Sequence, residues 1–237
     1  MKILNLIIAS TNESHYISLI DEWKRYMNIN PNISSYFIRL DNEACGENDY
    51  LIDELSHTIF IKGTDGYIPE IYDKTSLALK IILGLPTYKE IVFVVRTNLS
   101  TFWIWNNLMH YLNDKPTHSF ISGVLGNHDR NRFPGGCGMV MSRDVAQLWA
   151  DNYDYPKKRQ LYDDVAMGDL LAEKHIPIVE VQRFDIEAHH SFPSVIDTIK
   201  QLGQSIYHVR NKIYWDFGGR ISGLEAKNYS MLIDAFY

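Results

Sequence analysis

The stretch "VFVVRTNLSTFW", residues 92–103, begins as an apolar segment and then becomes polar. Four apolar residues precede Arg96, a run typical of a strand that is buried on both faces in a parallel sheet. The segment from Thr97 to Ser100 is polar apart from one leucine. Because ligands bind beyond the carboxyl ends of the strands in such sheets, the stretch predicts a buried strand that ends at a binding site.

The rest of the chain alternates short apolar segments with amphipathic ones. This alternation predicts an α/β fold with a mostly parallel central sheet and helices on both of its faces. The predicted strands are residues 2–9, 35–40, 57–62, 90–96, 118–123, 137–142 and 178–184. The predicted helices are residues 13–28, 69–84, 100–113, 143–151, 164–174 and 221–235. Two polar connections, 125–138 and 183–194, are interpreted as functional loops.

Composition limits the classes of function. The chain has 237 residues, of which 46% are hydrophobic, and its formal net charge is −6. It contains no Pro-, Gly- or Ser-rich linker, so we predict one domain, 1–237. The one compact basic cluster is "KKR" at 157–159, which argues against nucleic acid as the partner. No apolar stretch reaches the ~18 residues of a transmembrane helix. Cys45 and Cys137 make no disulfide framework, and we expect free thiols.

Polar segments follow three of the predicted strands: "ASTNE" at 9–13, "LDNE" at 40–43 and "RTNLS" at 96–100. The carboxyl ends of neighbouring parallel strands share one edge of a sheet, so these segments are candidates for a common ligand site. The first segment lacks the G-x-G-x-x-G fingerprint. This argues against a dinucleotide-binding Rossmann domain and leaves other nucleotides open.

The segment "YDDVAMGDLL", residues 162–171, places two carboxylates at the start of a predicted helix. One interpretation is structural, because acidic residues in the first turn complement the helix dipole by roughly 0.3–1 kcal/mol each. The other interpretation is catalytic, with Asp163 or Asp164 acting as a general base. Taken alone, the segment favours the structural interpretation.

Two further segments have open interpretations. "FPGGCGMVMSRD", residues 133–144, contains three glycines that permit either a close backbone approach or a sharp corner. In "IYHVRNK", the alternation of His208, Arg210 and Lys212 directs an imidazole, a guanidinium and an ammonium group to one side of an extended segment. Such a trio suits a diphosphate, with or without a metal. Taken alone, the segment favours a solvated strand edge with a half-buried histidine.

In this order, the motifs resemble those of GT-A fold, nucleotide-sugar-dependent glycosyltransferases. The resemblance is greatest to the group containing fringe and the β-1,3-galactosyltransferases, with its small bacterial and large-DNA-virus relatives. "IYDKTSLAL" is similar to a helix ending in Leu-Lys-Thr, and "VVRTNLSTFW" to Lys-Thr-Asp-Asp-Asp-Val-Phe. "GGCGMVMSRD" is similar to Gly-Gly-Gly-Tyr-Val-Leu-Ser, and "YDDVAMG" to a Glu-Asp-Val or Asp-Asp signature.

The resemblance implies a Rossmann-like GT-A sheet with a small antiparallel subsheet on the acceptor side. It implies a nucleotide-binding half, about 1–115, and an acceptor-binding half, about 116–237. The implied activity is inverting transfer of a hexosyl or deoxyhexosyl group from a UDP-sugar to a glycan hydroxyl. With no anchor in the sequence, we expect a cytoplasmic enzyme, in a bacterium or a virus-infected host cell.

Site residues also follow from the resemblance. Asp164 matches the general base, and Asp163 is implied to orient it or to hold acceptor hydroxyls. The implied nucleotide-sugar ligands are Ala9, Ser10, Thr11, Asp41, Lys74, Arg96, Asn98, Ser100, Arg210, Lys212 and Arg220. The implied acceptor-side residues are Gly135, Gly136 and Cys137, with pocket walls in the loops 125–136 and 185–195.

One motif departs from the family. The metal-binding Asp-x-Asp reads Asn98-Leu99-Ser100, so two carboxylates are replaced by an amide and a hydroxyl, although hard divalent cations prefer carboxylate oxygens. Either Mn²⁺ or Mg²⁺ is held weakly, with Asn98 and His208 as ligands, or cationic side chains replace it. The candidate cations are Lys74, Arg96, Arg210 and Lys212.

Two alternatives to a glycosyltransferase remain open at this point. One is a sugar nucleotidyltransferase on a nucleotide-binding sheet. The other is a non-catalytic carbohydrate-binding protein on a degenerate GT-A fold, with Trp103, Trp105 and Trp149 as sugar platforms. Core packing is the simpler interpretation of these tryptophans.

Overall fold

The computed structural model describes residues 1–10, 14–129, 131–155, 160–188, 191–214 and 221–237. Within them the chain forms an eight-stranded sheet, a three-stranded sheet and a set of α-helices. The large sheet contains a parallel block, so the predicted α/β class with a mostly parallel central sheet and a smaller second sheet is confirmed. The described residues group into two compact units.

Regular secondary structure covers most of the described chain. The strands are β1 Lys2–Ile8, β2 Ile33–Leu40, β3 Tyr50–Asp53, β4 Thr58–Ile61, β5 Ile91–Asn98, β6 Thr101–Trp103, β7 Ile121–His128, β8 Asn131–Ser142, β9 Val179–Glu180, β10 Phe184–Asp185 and β11 His208–Arg210. The α-helices are α1 Ser14–Tyr26, α2 Asn42–Cys45, α3 Glu70–Gly84, α4 Trp105–Leu112, α5 Arg143–Asp151, α6 Asp163–Glu173, α7 Phe192–Leu202 and α8 Ser222–Phe236.

The first unit comprises Met1–Ser10, Asn32–Asn98 and Pro116–Val181 and contains the large sheet. Its strands lie in the order β3-β4-β2-β1-β5-β8-β7-β9. β4, β2, β1 and β5 are parallel neighbours, whereas β8 runs antiparallel to both β5 and β7. The carboxyl ends of β2, β1 and β5 therefore lie side by side, at the edge where the sequence predicts a binding site.

The core of the first unit joins the large sheet to α3, α5 and α6. Leu4 and Leu6 of β1 are fully buried in one apolar cluster with Leu79 of α3, Trp149 of α5 and Leu170 of α6. Full burial of such a side chain contributes roughly 1.5–3 kcal/mol, so this cluster fixes the three helices against the sheet.

A glycine contact sets the position of α6. A Cβ atom added to Gly168 would lie 2.5 Å from Cβ of Phe133 and 2.8 Å from the carbonyl oxygen of Arg132. Both distances are shorter than any normal contact, so α6 packs directly on the backbone of β8 because residue 168 has no side chain. This contact places the first turn of α6, with Asp163 and Asp164, beside β8.

The second unit comprises Thr11–Pro31, Leu99–Lys115 and Gln182–Tyr237. Its sheet has the order β10-β11-β6, in which β10 and β11 are parallel and β11 and β6 antiparallel, so the small sheet is mixed rather than wholly antiparallel. Buried aromatic rings form its core, and the Trp23 indole N–H donates to the Leu99 carbonyl oxygen at 2.9 Å. Tyr26 stacks on Phe102 with a centroid separation of 4.9 Å.

The structure corrects four of the predicted elements. The predicted strand 178–184 is two short strands, β9 and β10, which belong to different sheets. The predicted helix 100–113 begins instead as β6, whose Phe102 pairs with Val209 of β11, and continues as α4. The predicted loop 125–138 is wrong, because β7 and β8 continue as an antiparallel pair as far as His128 and Asn131 and thereby satisfy their backbone groups. The predicted loop 183–194 contains β10 and the start of α7 at Phe192, although 189–190 lie outside the described residues.

Other expectations have mixed outcomes. Trp103, Trp105 and Trp149 are fully buried, which confirms core packing and removes them as sugar platforms. Neither Cys45 nor Cys137 forms a disulfide bond, as predicted. Within the described ranges, none of the helices combines the length and apolar character needed to cross a membrane. The single domain with nucleotide-binding and acceptor-binding halves stays a prediction, as does the cytoplasmic location.

Candidate active site

The candidate site of the first unit lies at the carboxyl ends of β1 and β5. Ile8 and Asn98 are register partners at these ends, and the Ala9 N–H donates to the Ile38 carbonyl oxygen of β2 at 3.2 Å. Three of the predicted ligand segments therefore converge here, as the parallel order requires. Ser10, the next predicted ligand, is half-buried, and Thr11 lies outside the described residues.

Arg96 connects β5 to the start of α6. Its side chain is only 2% exposed, and Nη2 donates to Oδ2 of Asp163 at 2.5 Å. Nη1 donates to Oδ1 of Asn98 at 3.0 Å. Burial raises the pKa of Asp163, while the positive charge of Arg96 opposes this effect. Asp163 is thus the buried partner of an arginine, and its role in orienting the base or holding acceptor hydroxyls stays a prediction.

Asp164 has a different environment from that of its neighbour. Its Oδ2 accepts a hydrogen bond from the Gly136 N–H of β8 at 2.8 Å, and Oδ1 accepts from the Val165 N–H at 2.9 Å. The residue is only partly buried. The two backbone donors orient the carboxylate, and its partial exposure leaves it able to accept a proton from a bound molecule.

Glycine at position 136 allows these groups to meet. A Cβ atom there would lie 3.0 Å from Oδ2 of Asp164 and 3.2 Å from Nη1 of Arg96. On the same strand, the Cys137 carbonyl oxygen accepts from Oγ1 of Thr97 at 3.3 Å, which ties β8 to the end of β5. Gly135 and Cys137 are partly buried beside this point, and their role on the acceptor side stays a prediction.

Lys74 of α3 is a second buried cation at this edge. Its Nζ donates to the Ala9 carbonyl oxygen at 2.9 Å and to Oδ1 of Asp65 at 2.7 Å. Burial lowers the pKa of Lys74, and the charge of Asp65 opposes the shift. Lys74 is therefore already paired within the chain, and in this arrangement it stabilises the end of β1.

Asp41, at the end of β2, has local partners. Its carboxylate accepts from the Ala44 N–H at 3.0 Å, capping α2, and from Nη2 of Arg39 at 3.0 Å. It lies at the predicted edge of the sheet, and its contact with a ribose stays a prediction.

The other predicted ligands belong to the second unit. His208 is 1% exposed and stacks on Trp103 at a centroid separation of 4.7 Å, so the half-buried interpretation is wrong. Burial, aided by the charges of Arg183 and Arg210, lowers the pKa of His208 to about 3. Its Nε2 has no hydrogen-bond partner among the described residues. Arg210 is partly buried.

Lys212 and Ser100 are two further predicted ligands in the second unit. The Lys212 ammonium lies 5.1 Å from the centre of the Tyr214 ring. Ser100 is buried, and its carbonyl oxygen accepts from the Asn211 N–H at 2.8 Å. Arg220, the last predicted ligand, lies outside the described residues.

The described residues fit a divalent cation poorly. They contain no group of three or more His, Cys, Asp or Glu side chains arranged to hold a metal ion. At the position of the family's metal ligands, the Asn98 amide oxygen accepts from a guanidinium group, which brings a positive charge next to it. Hard cations prefer carboxylate oxygens and are repelled by such a charge.

Sequence reasoning missed Asp65, the partner of Lys74. It lies in "KGTDGY", residues 62–67, a polar loop after a predicted strand. The polar, Gly-containing composition of this loop could have identified it as a candidate site segment. The loop is attached to the start of α2, because the Gly63 N–H donates to Oδ1 of Asn42 at 2.9 Å.

The chain is similar in structure to known glycosyltransferases. One takes part in glycosylation of the major capsid of PBCV-1; the TM-score is 0.54 at 8% identity, covering 98% of this chain and 100% of that chain. Another is the apo form of GlyE from Streptococcus pneumoniae TIGR4; the TM-score is 0.52 at 10% identity, covering 99% of this chain and 62% of that chain.

No protein-family model matches the sequence, and no curated protein matches it either. At identities this low, structural likeness shows the fold alone. The fringe-like subgroup therefore stays a prediction, whereas the fold itself agrees with the one that the motifs implied. The chain has the GT-A-like fold of glycosyltransferases.

Proposed function

We propose that the chain is an inverting glycosyltransferase, which moves a hexosyl or deoxyhexosyl group from a UDP-sugar to a hydroxyl group of a glycan. The observation that carries the proposal is the position of Asp164. Its partly exposed carboxylate is held by the Gly136 N–H at the sheet edge of a GT-A-like fold. Asp163, buried against Arg96, is not available for the same task.

The proposed reaction begins when Asp164 takes the proton of the acceptor hydroxyl. The acceptor oxygen then bonds to the anomeric carbon of the sugar, and the bond from that carbon to the diphosphate oxygen breaks on the opposite face. UDP leaves with the bonding electron pair, and the anomeric configuration is inverted. A positioned general base typically contributes ~10²–10⁴-fold to the rate of such a step.

Donor binding is proposed at the carboxyl ends of β1, β2 and β5. Ser10 and Asn98 lie at this edge of the first unit. From the sequence alone, Arg210 and Lys212 stay proposed partners of a diphosphate, since cationic side chains bind phosphate oxygens strongly. Lys74 and Arg96 are weaker candidates, because each is already paired with a carboxylate.

We further propose that donor binding requires no divalent cation. The Asn98-Leu99-Ser100 segment offers no carboxylate, and the amide oxygen of Asn98 accepts a hydrogen bond from Arg96. Amide and hydroxyl oxygens without a neighbouring carboxylate bind Mg²⁺ or Mn²⁺ weakly.

The decisive experiment compares Asp164→Asn with the wild type. Sugar nucleotides are first screened for transfer and slow hydrolysis, and UDP binding is measured by calorimetry. We expect Asp164→Asn to lower kcat by ~10²-fold or more while UDP binds within about threefold of the wild type. Asp154→Asn, at an exposed position of the same unit, is the matched control. An Asp164→Asn variant with full activity would remove the proposed base.

The same screen separates the alternatives. A sugar nucleotidyltransferase releases pyrophosphate from a nucleoside triphosphate, whereas the proposed enzyme releases UDP from a sugar nucleotide. A non-catalytic carbohydrate-binding protein binds glycans without turnover of any donor. Trp103, Trp105 and Trp149 are fully buried, so they do not support a carbohydrate-binding function.

A further inference from the structure

Arg96 is predicted to bind the nucleotide-sugar, yet its guanidinium group is buried against Asp163 and Asn98. We propose that Arg96 is a positioning residue, which acts through Asp163 to hold the Asp164 carboxylate on Gly136, and that it is not a ligand of the donor diphosphate. The inference rests on the proposed function only for what Asp164 does chemically. The arrangement itself is independent of that function.

The guanidinium group is enclosed and its terminal nitrogens are occupied. Nη2 donates to Asp163 and Nη1 to Asn98, and the side chain is 2% exposed. The remaining nitrogen, Nε, has no partner among the described residues and is itself buried. A diphosphate would have to displace one of the two existing partners to reach this arginine.

The partners of Arg96 place it where it can fix the base. Asp163 is the first residue of α6 and Asp164 is the second. The ion pair therefore anchors the helix at the residue before Asp164. Because Nη2 is held by Asp163 and Nη1 by Asn98, the planar guanidinium has a defined orientation that a point charge lacks. Position 136 contacts both groups, since its ideal Cβ would lie 3.2 Å from Nη1 and 3.0 Å from Oδ2 of Asp164.

The charges agree with an internal role. Two buried cations, Lys74 and Arg96, have one carboxylate partner each, Asp65 and Asp163. Each positive charge is thus balanced within the chain, and neither is left for an anionic ligand. The negative charge of Asp164 has backbone N–H partners instead of a cation.

The test uses a double variant that removes both charges, Arg96→Met with Asp163→Leu. Single removal leaves a buried unpaired charge and threatens folding, whereas replacing both partners by apolar side chains of similar size is often neutral or stabilising. The wild type and the double variant are compared by urea unfolding, UDP calorimetry, steady-state kinetics and amide hydrogen exchange at Gly136. The exchange rate reports the hydrogen bond to Asp164 without any need for turnover.

We expect the double variant to unfold at a urea midpoint close to that of the wild type and to bind UDP within about threefold. We expect kcat to fall by ~10-fold or more at an unchanged donor KM, and the Gly136 amide to exchange at least ~10-fold faster. The amides of residues 139–141, farther along β8, are the internal control.

Two results would overturn the inference. Weaker UDP binding by ~10-fold or more, with the Gly136 amide still protected, would make Arg96 a donor ligand. If kcat and the exchange rate of the Gly136 amide were both unchanged, the Arg96–Asp163 ion pair would not position Asp164. Failure of the proposed function looks different, because the wild type itself would then transfer no sugar while the exchange measurement still decides the role of Arg96.

Discussion

Asp163 and Asp164 are consecutive in the chain, yet their carboxylates have different partners. Asp163 is paired with the Arg96 guanidinium, and Asp164 accepts from the Gly136 N–H. Asp163 therefore anchors the helix, and Asp164 presents a carboxylate. The sequence does not distinguish these two roles.

The two aspartates should differ in their effect on stability. Asp163→Asn removes one partner of a buried ion pair, which typically costs about 3–5 kcal/mol. Asp164→Asn keeps only one of the two oxygens that accept from the Gly136 and Val165 N–H groups, at a partly exposed position, so a smaller loss of about 1–2 kcal/mol is expected. Urea unfolding at pH 7 measures both. Equal losses in the two variants would contradict these different roles.

Gly136→Ala should lower activity more than stability. The added methyl group would lie 3.0 Å from Oδ2 of Asp164 and 3.2 Å from Nη1 of Arg96, so both groups must shift by a few tenths of an ångström. We expect kcat to fall about tenfold, because small misplacements of catalytic groups are costly. Gly84→Ala, where a Cβ meets nothing within 4 Å, is the control and should leave kcat unchanged.

Lys74→Met should destabilise the chain by about 3–5 kcal/mol, because it leaves the Asp65 carboxylate without its buried partner. Combining it with Asp65→Leu should recover much of the loss. Lys80→Met, at an exposed position of the same helix, should change the free energy of unfolding by less than about 0.5 kcal/mol. The measurement is urea unfolding, and a Lys74→Met variant as stable as Lys80→Met would show that the buried pair contributes nothing.

His208 should make the chain sensitive to mild acid. Its pKa is about 3 when folded and 6.5 ordinarily, so between these values the unfolded chain binds more protons than the folded one. Stability is therefore lost as the pH falls, by about 2 kcal/mol from this residue between pH 7 and pH 5. Between pH 7 and pH 5, the free energy of unfolding of His208→Gln should therefore fall by about 2 kcal/mol less than that of the wild type. Parallel losses in both proteins would contradict the buried neutral imidazole.

Removing divalent cations should leave nucleotide binding intact. Calorimetry with UDP in EDTA and in Mn²⁺ should give affinities within about threefold of each other, because the Asn98 position offers no carboxylate to a metal. Asn98→Asp tests the reason, since it restores one carboxylate at this position. A wild-type affinity that falls tenfold in EDTA would mean that a metal takes part in binding.

Much of the fold could be predicted because its signals are local. The apolar runs that became β1 and β5 and the amphipathic run that became α5 identify buried strands and a helix without knowledge of their neighbours. The segment around Phe102 could not be predicted in this way. Its strand exists through pairing with β11, more than 100 residues away, and no local pattern reports such a partner.

The candidate site, too, could be predicted only in part from the sequence. The sequence by itself determined the elements, the polar residues at the carboxyl ends of the strands and the two aspartates at a helix start. Only the tertiary structure decided which aspartate is buried against Arg96 and which is held at Gly136. Consecutive residues of a helix point about 100° apart, so the difference arises from the packing of α6 on β8 and β5. Those contacts join positions far apart in the chain, and their geometry is set by packing and charge pairing rather than by local preference.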